Sequence, residues 1–224
     1  MGLILNIDTA TEKAHVSFSK DGAVLQSLSN ESQKDHASFL QSAIEQLTKI
    51  TGIGLVSLDA VAVTAGPGSY TGLRVGMASA KGLCYALKRP MISISSLEVL
   101  ANTAIQKFPY ENEKILYCPM IDARRMEIFT AIYDKALKLY TNPGPLILDE
   151  SSFKKELSDN KILFFGSGSE KWKQVCKHIN ALFEPVTIQP EGMCNLTNNL
   201  YNNRQFTDIA YSEPLYLKEF QTVV

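Results

Sequence analysis

The spacing of apolar and polar residues divides the chain into short, well-punctuated elements. Leu3–Ala10 is apolar and ends in Asp8-Thr9, a strand running into a polar loop. Val16 and Phe18 alternate with His15, Ser17 and Ser19, which marks Ala14–Ser19 as a half-exposed strand. Lys20-Asp21-Gly22 is a hairpin turn signal, and Ala23–Leu28 is the return strand. Asp35 then stands as an N-cap before Phe39, Leu40, Ala43, Ile44, Leu47 and Ile50, which fall within about 140° of helical arc. Gly52 and Gly54 stop that helix, and Asp59–Ala65 is short, apolar and β-branched.

A second helix, Leu73–Leu87, ends before Pro90; Met91–Ser95 is a strand and Leu97–Lys107 a third helix. The order β-β-β-α-β-α-β predicts a ribonuclease H-like half with a mixed sheet, antiparallel first and parallel afterwards. Beyond Phe108-Pro109 the pattern restarts with Ile115–Ile121, Glu127–Tyr133 and a Pro143-Gly144-Pro145 break. Helices near Ser152–Leu157 and Ser169–Ile179 then flank a strand at Lys161–Phe165. The expected division is a first lobe at 1–108 and a smaller, degenerate lobe at 109–205. The hinge is expected near Phe108–Asn112, with the C-terminal segment, about 206–224, a candidate to return to the first lobe.

The second helix carries more apolar and small residues than one sheet face can cover. Its charges, Arg74 and Lys81, with Lys88 just beyond, lie seven apart and share a narrow stripe with Tyr85. Gly72, Gly76, Ala80 and Cys84 recur every fourth residue. An interior glycine costs about 1 kcal/mol relative to alanine, so Gly76 and Gly82 imply close approach of another backbone. Two readings stay open: burial within the fold, or a subunit interface shared with the first helix. On the second reading the contact residues are Leu40, Ile44 and Leu47 with Leu73, Gly76, Met77, Ala80, Leu83 and Cys84.

Composition narrows the chemistry. The 224 residues are 45% hydrophobic and 20% charged with formal net charge −1, and no segment is a Lys/Arg run, which argues against nucleic-acid capture by this chain alone. The four cysteines form no Cys-x-x-Cys pair and read as reduced. His15, His36 and His178 share no metal-ligand spacing, so no metal is expected. Gly66-Pro-Gly-Ser-Tyr-Thr-Gly72 lacks the Lys-Ser/Thr of a triphosphate loop, and Gly166-Ser-Gly-Ser169 is not a nucleophile elbow. With neither a secretory signal nor an apolar run of about 18 residues, the expected location is the cytoplasm. Asp122-Ala-Arg124-Arg125 is the one charged cluster beside a buried strand, suited to an anion, an acidic partner residue or an internal salt bridge.

Gly66-Pro-Gly-Ser-Tyr-Thr-Gly-Leu-Arg74, between a buried strand and a small-residue helix, resembles the TsaB/YeaZ family. Ile4-Leu-Asn-Ile-Asp-Thr-Ala-Thr11, His36, Ser96-Leu-Glu-Val-Leu-Ala101, Asp122-Ala-Arg-Arg125 and Glu213-Pro-Leu-Tyr-Leu217 extend the likeness along nearly the whole chain in the right order. The resemblance implies an α/β protein of the actin-like ATPase (ASKHA) group, two lobes each with a mixed sheet and flanking helices. It also implies a non-catalytic subunit in tRNA threonylcarbamoyladenosine synthesis. Such a subunit pairs with the transferase TsaD, helps recruit the ATPase TsaE, meets tRNA only through the complex and forms a homodimer when alone.

TsaD-like proteins carry a metal-binding His-x-x-x-His soon after the equivalent of Pro90; aligned on Lys88–Leu100, Ser96 and Leu100 stand at those positions. The resemblance therefore implies no catalysis and no cofactor of its own, with ATP or ADP held at most where partners meet. Asp8, Thr9 and Thr11 are the candidate relic of a first phosphate loop. The alternatives are a small actin-fold phosphotransferase using Asp8 and a glycoprotease-like metallopeptidase, the latter disfavoured by the missing histidines.

Overall fold

The computed structural model describes residues 2–31, 36–110 and 114–217. It divides into two compact units, Met1–Val99 with Ile188–Leu215, and Leu100–Thr187 with Tyr216–Val224.

In the first unit, β1 (Leu3–Asp8), β2 (Ala14–Lys20) and β3 (Ala23–Asn30) form an antiparallel meander. β4 (Ala60–Gly66) and β5 (Met91–Ser95) extend it in parallel, giving the order β3-β2-β1-β4-β5. The period-2 alternation of β1 sends Leu5 and Ile7 to one face, where α1 (His36–Thr51) and α2 (Tyr70–Leu87) cover them. Leu40, Ala43, Ile44 and Leu47 of α1 meet Met77, Ala80 and Cys84 of α2 in that core, with Val16, Phe18, Val61 and Val63 from the sheet. Gly52, at φ +69°, ends α1 where the chain must turn left-handed. The Asp35 cap lies outside the described residues.

The opposite face of the same sheet is polar, and α6 (Pro190–Asn202) covers it. The Thr197 hydroxyl donates to Asn6 Oδ1 at 2.6 Å, and Asn6 Nδ2 donates to Ser19 Oγ at 2.8 Å and to the Ile4 carbonyl at 3.3 Å. Ser17 Oγ and Cys194 Sγ lie 3.4 Å apart. The polar run Asn195–Arg204 thus includes the seat of a helix on hydrogen bonds. Beyond α6, Thr207 pairs with Met91 at the free edge of β5, and the Leu215 N–H donates to the Ala65 carbonyl at 2.6 Å.

The second unit repeats the arrangement. β6 (Ile115–Asp122), β7 (Glu127–Tyr133) and β8 (Leu139–Ile147) are antiparallel, and β9 (Lys161–Phe165) and β10 (Ala181–Phe183) run parallel to β6, in the order β10-β9-β6-β7-β8. Read from β8, this is the order of the first sheet. Two such mixed sheets in one chain make the fold actin-like (ASKHA). Short helices α4 (Lys154–Asp159) and α5 (Ser169–Val175) frame a core built on Trp172, Phe164 and Phe153, whose ring centroids lie 5.1–6.3 Å apart.

Three expectations need correction. Residues 188–205 join the first unit rather than the second, because α6 seats on the polar face of β1–β3. In turn most of α3 (Ser96–Lys107), from Leu100 onward, belongs to the second unit, so the division falls inside that helix; the hinge expected near Phe108–Asn112 lies partly outside the described residues. Pro143-Gly144-Pro145 is not a break but the middle of β8, an edge strand on which a missing N–H is tolerated.

Removing the donor from the α6 seat isolates a buried acceptor. Thr197→Val should lower unfolding stability by about 1–3 kcal/mol, read by urea denaturation, while Thr197→Ser should retain most of it.

Candidate functional site

The stretch from Gly66 to Leu87 leaves β4, turns and enters α2, and the turn is held to the β1–β2 loop. Ser69 N–H donates to the Ala10 carbonyl at 2.7 Å, and Ser69 Oγ caps the helix by accepting from Gly72 N–H at 3.3 Å. Thr9 Oγ1 donates to the Gly72 carbonyl at 2.7 Å. A Cβ on Gly68 would run into the Ala10 carbonyl, one on Gly72 into the Thr9 carbonyl, and one on Gly76 into Thr9 Oγ1. The i, i+4 glycines thus answer a close approach inside the protein.

That approach fixes which side of α2 is inside. Leu73, Gly76, Met77, Ala80 and Cys84 are buried, as are Leu40, Ile44 and Leu47 of α1. Of the nine residues assigned to a partner contact from sequence, only Leu83 retains partial exposure, and it too packs against the core. Eight of the nine are thus committed to the core of their own unit. Burial raises the Cys84 thiol to about 11, so it stands as a protonated core residue.

The exposed side of α2 is a different series: Thr71, Arg74, Ala78, Gly82, Tyr85 and Ala86. Arg74 lies over the Tyr70 ring, 5.2 Å from its centroid, and donates to its hydroxyl at 2.8 Å. Tyr85 is 83% exposed. A Cβ on Gly82 would meet nothing within 4 Å, so no contact among the described residues explains a glycine there. Toward the helix end an open groove of about 590 Å³ is lined by Cys84, Tyr85, Ala86, Lys88, Arg89 and Ile209.

The candidate phosphate-loop residues turn inward. Asp8 is 1% exposed; its Oδ1 accepts from Thr64 Oγ1 at 2.8 Å and from Ala10 N–H at 3.1 Å, while Oδ2 has no hydrogen-bond partner among the described residues. Burial pushes the Asp8 carboxyl up, opposed by the charge of His15, its partner across the β1–β2 ladder, and by Thr64. Burial likewise holds the His15 ring below the ordinary histidine range, against the pull of Asp8. Thr9 is fully buried and its hydroxyl engaged; Thr11 Oγ1 donates to the Lys13 carbonyl at 3.2 Å. His36 Nε2 lies 3.0 Å from the Thr11 carbonyl, tying α1 to the same loop. Among the described residues no three His, Cys, Asp or Glu side chains are grouped to hold a metal, and no helix is long and apolar enough to cross a membrane.

Arg124 and Arg125 are exposed at the β6–β7 tip, at φ +71° and +50°. Asp122 Oδ1 accepts the Arg124 N–H at 2.6 Å and the Lys171 ammonium at 2.8 Å, so the internal ion pair of this cluster belongs to Lys171. Neither guanidinium has an ion-pair partner among the described residues. Two consecutive side chains in the left-handed region cost of order 1 kcal/mol each.

A model of the family described as TsaD, tRNA N6-adenosine threonylcarbamoyltransferase, matches residues 28–212. The chain belongs to that family, in its TsaB/YeaZ branch. It is 27% identical over 225 residues to the tRNA threonylcarbamoyladenosine biosynthesis protein TsaB of Escherichia coli, covering 96% of this chain and 94% of that one. It is 28% identical over 180 residues to the Bacillus subtilis protein of the same name, covering 79% and 76%. YeaZ from Pseudomonas aeruginosa, 23% identical, shares the fold at a TM-score of 0.79 over 97% of this chain and 100% of that one.

The exposed series was open to sequence reasoning. Ala78, Gly82 and Ala86 are themselves four apart, a second small-residue line one face away from Gly72, Gly76 and Ala80. The two glycines should respond oppositely to substitution. Gly82→Ala should stabilise the isolated protein by about 1 kcal/mol, whereas Gly76→Ala should destabilise it, both read by denaturant unfolding.

Proposed function

We propose that this chain is the non-catalytic subunit of a tRNA threonylcarbamoyladenosine synthesis complex, pairing with a TsaD-type transferase through the exposed face of α2. It steadies and positions the transferase and helps recruit the ATPase TsaE, in the cytoplasm; without the transferase the same face pairs with its own copy. tRNA is engaged only by the assembly. Gly82 carries this reading: an exposed helical glycine with empty space around it loses stability in the free chain and is accounted for by a second backbone approaching closely.

At the positions aligned with the metal-binding histidines of TsaD-like proteins this chain carries Ser96 and Leu100. Ser96 is 0% and Leu100 2% exposed, and neither offers an imidazole nitrogen. The phosphotransferase alternative needs a carboxylate that can reach magnesium or a substrate hydroxyl, whereas Asp8 is 1% exposed and its Oδ1 is held by Thr64 and Ala10. On this reading any nucleotide sits where the chain meets its partners, and Arg124 and Arg125, which are in no ion pair among the described residues, are cations available there for an anion or a partner carboxylate.

Ala86 is exposed and clear of the core, so Ala86→Asp should fold as the wild type by circular dichroism and fail to co-purify with the cognate TsaD-type transferase. Asp8→Asn should leave tRNA modification by the reconstituted complex close to wild type. Full co-purification of Ala86→Asp would remove the α2 face from the interface, and modification proceeding without this chain would remove the subunit role.

A further inference from the structure

The exposed side of α2 is not only small but charged in one sign. Residues 70–87 contain no Asp or Glu. Arg74, Lys81 and Lys88, spaced by seven, drift only about 20° per step and so line one side of the helix over about 20 Å. Arg74 and Lys88 are exposed and Lys81 half-buried. None of the three is in an ion pair among the described residues, where the pairs formed are Lys13–Glu31, Lys49–Glu45, Lys171–Asp122 and Lys173–Glu170. Arg89, just past the helix, donates to the Val56 carbonyl. The neighbouring helix supplies no counter-charge, since Glu45 of α1 is taken by Lys49 and the polar link from α1 to α2 is Gln41 to Ser79 at 3.3 Å.

Helix electrostatics accounts for one of these cations. Lys88 sits at the C-cap, where the negative end of the helix favours it. Arg74 stands near the opposite end and gains nothing from the dipole, and Lys81 is in the middle. In a protein of net charge −1, a line of three cations without an acid is a local feature rather than a reflection of composition.

We propose that this line selects the partner: the surface that docks on α2 is a helix face bearing Asp and Glu opposite Arg74, Lys81 and Lys88, and the same line disfavours a second copy of this chain. The inference rests on the α2 interface above and deepens it. Across a two-fold axis the Arg74, Lys81 and Lys88 line of one copy would meet the same line of the other, a like-charge juxtaposition that specificity is often built on. An acidic helix relieves that repulsion while Ala78, Gly82 and Ala86 let the backbones close. One face then forms two complexes with opposite responses to salt, because screening removes attraction in one and repulsion in the other.

The test measures dissociation constants by sedimentation for the full-length chain alone and with its cognate TsaD-type transferase, at about 0.05 and about 0.5 M NaCl. The heterocomplex should weaken by about tenfold at the higher salt while self-association tightens. Arg74→Gln/Lys81→Gln/Lys88→Gln should flatten both responses and strengthen the homodimer at low salt. A heterocomplex that holds or tightens with salt overturns the charge selection and leaves the interface standing. No heterocomplex at either salt overturns the interface reading itself.

Discussion

Three glycines set α2 on the β1–β2 loop, and most of what the first unit can do follows from that contact. Gly68, Gly72 and Gly76 bring helix backbone against Thr9 and Ala10 where no side chain fits, and Ser69 and Thr9 close the approach with hydrogen bonds. Once the helix is fixed at this rotation, Leu73, Met77, Ala80 and Cys84 are committed to the sheet and Arg74, Ala78, Gly82, Tyr85 and Ala86 to the outside. The interface reading concerns the second set only. Bulk at Gly76 and bulk at Gly82 therefore test different things, the fold in one case and the surface in the other.

The loop that receives the helix is also where an actin-like ATPase would place its first phosphate contacts. Here its groups serve structure: Thr9 holds the Gly72 carbonyl, Asp8 holds Thr64 and the Ala10 amide, and His36 reaches the Thr11 carbonyl. The polar line continues along the same sheet face through Asn6, Ser17 and Ser19 to α6. A helix seated by hydrogen bonds depends on every donor finding its acceptor, since a buried polar atom left alone costs about 1–3 kcal/mol. That dependence makes Thr197 a structural residue in a polar stretch of the chain.

The strands with β-branched or alternating residues and the amphipathic α1 were legible because burial on one face leaves a period in the sequence. The restart of that pattern beyond Phe108-Pro109, with two strands and then helix, strand, helix, made the second lobe legible as well. β8 was not, because Pro143 and Pro145 usually end a strand and are tolerated here only by its edge position. α6 was hidden because its buried side uses Gly192, Cys194 and Thr197 beside Met193 and Leu196, giving no apolar stripe. Small residues four apart announced a close approach but not its partner. Gly72 and Gly76 serve a contact within the chain, and only the space around each Cβ separates them from Gly82.

In the proposed assembly the side of α2 turned away from the sheet is covered by another polypeptide. Thiol accessibility reads this directly: a cysteine at Ala86 should alkylate readily in the free chain and become protected when the cognate transferase is added, whereas a cysteine at Met77 should be slow in both. Equal reactivity of the Ala86 cysteine with and without the transferase, in a mixture shown to contain the complex, would contradict it.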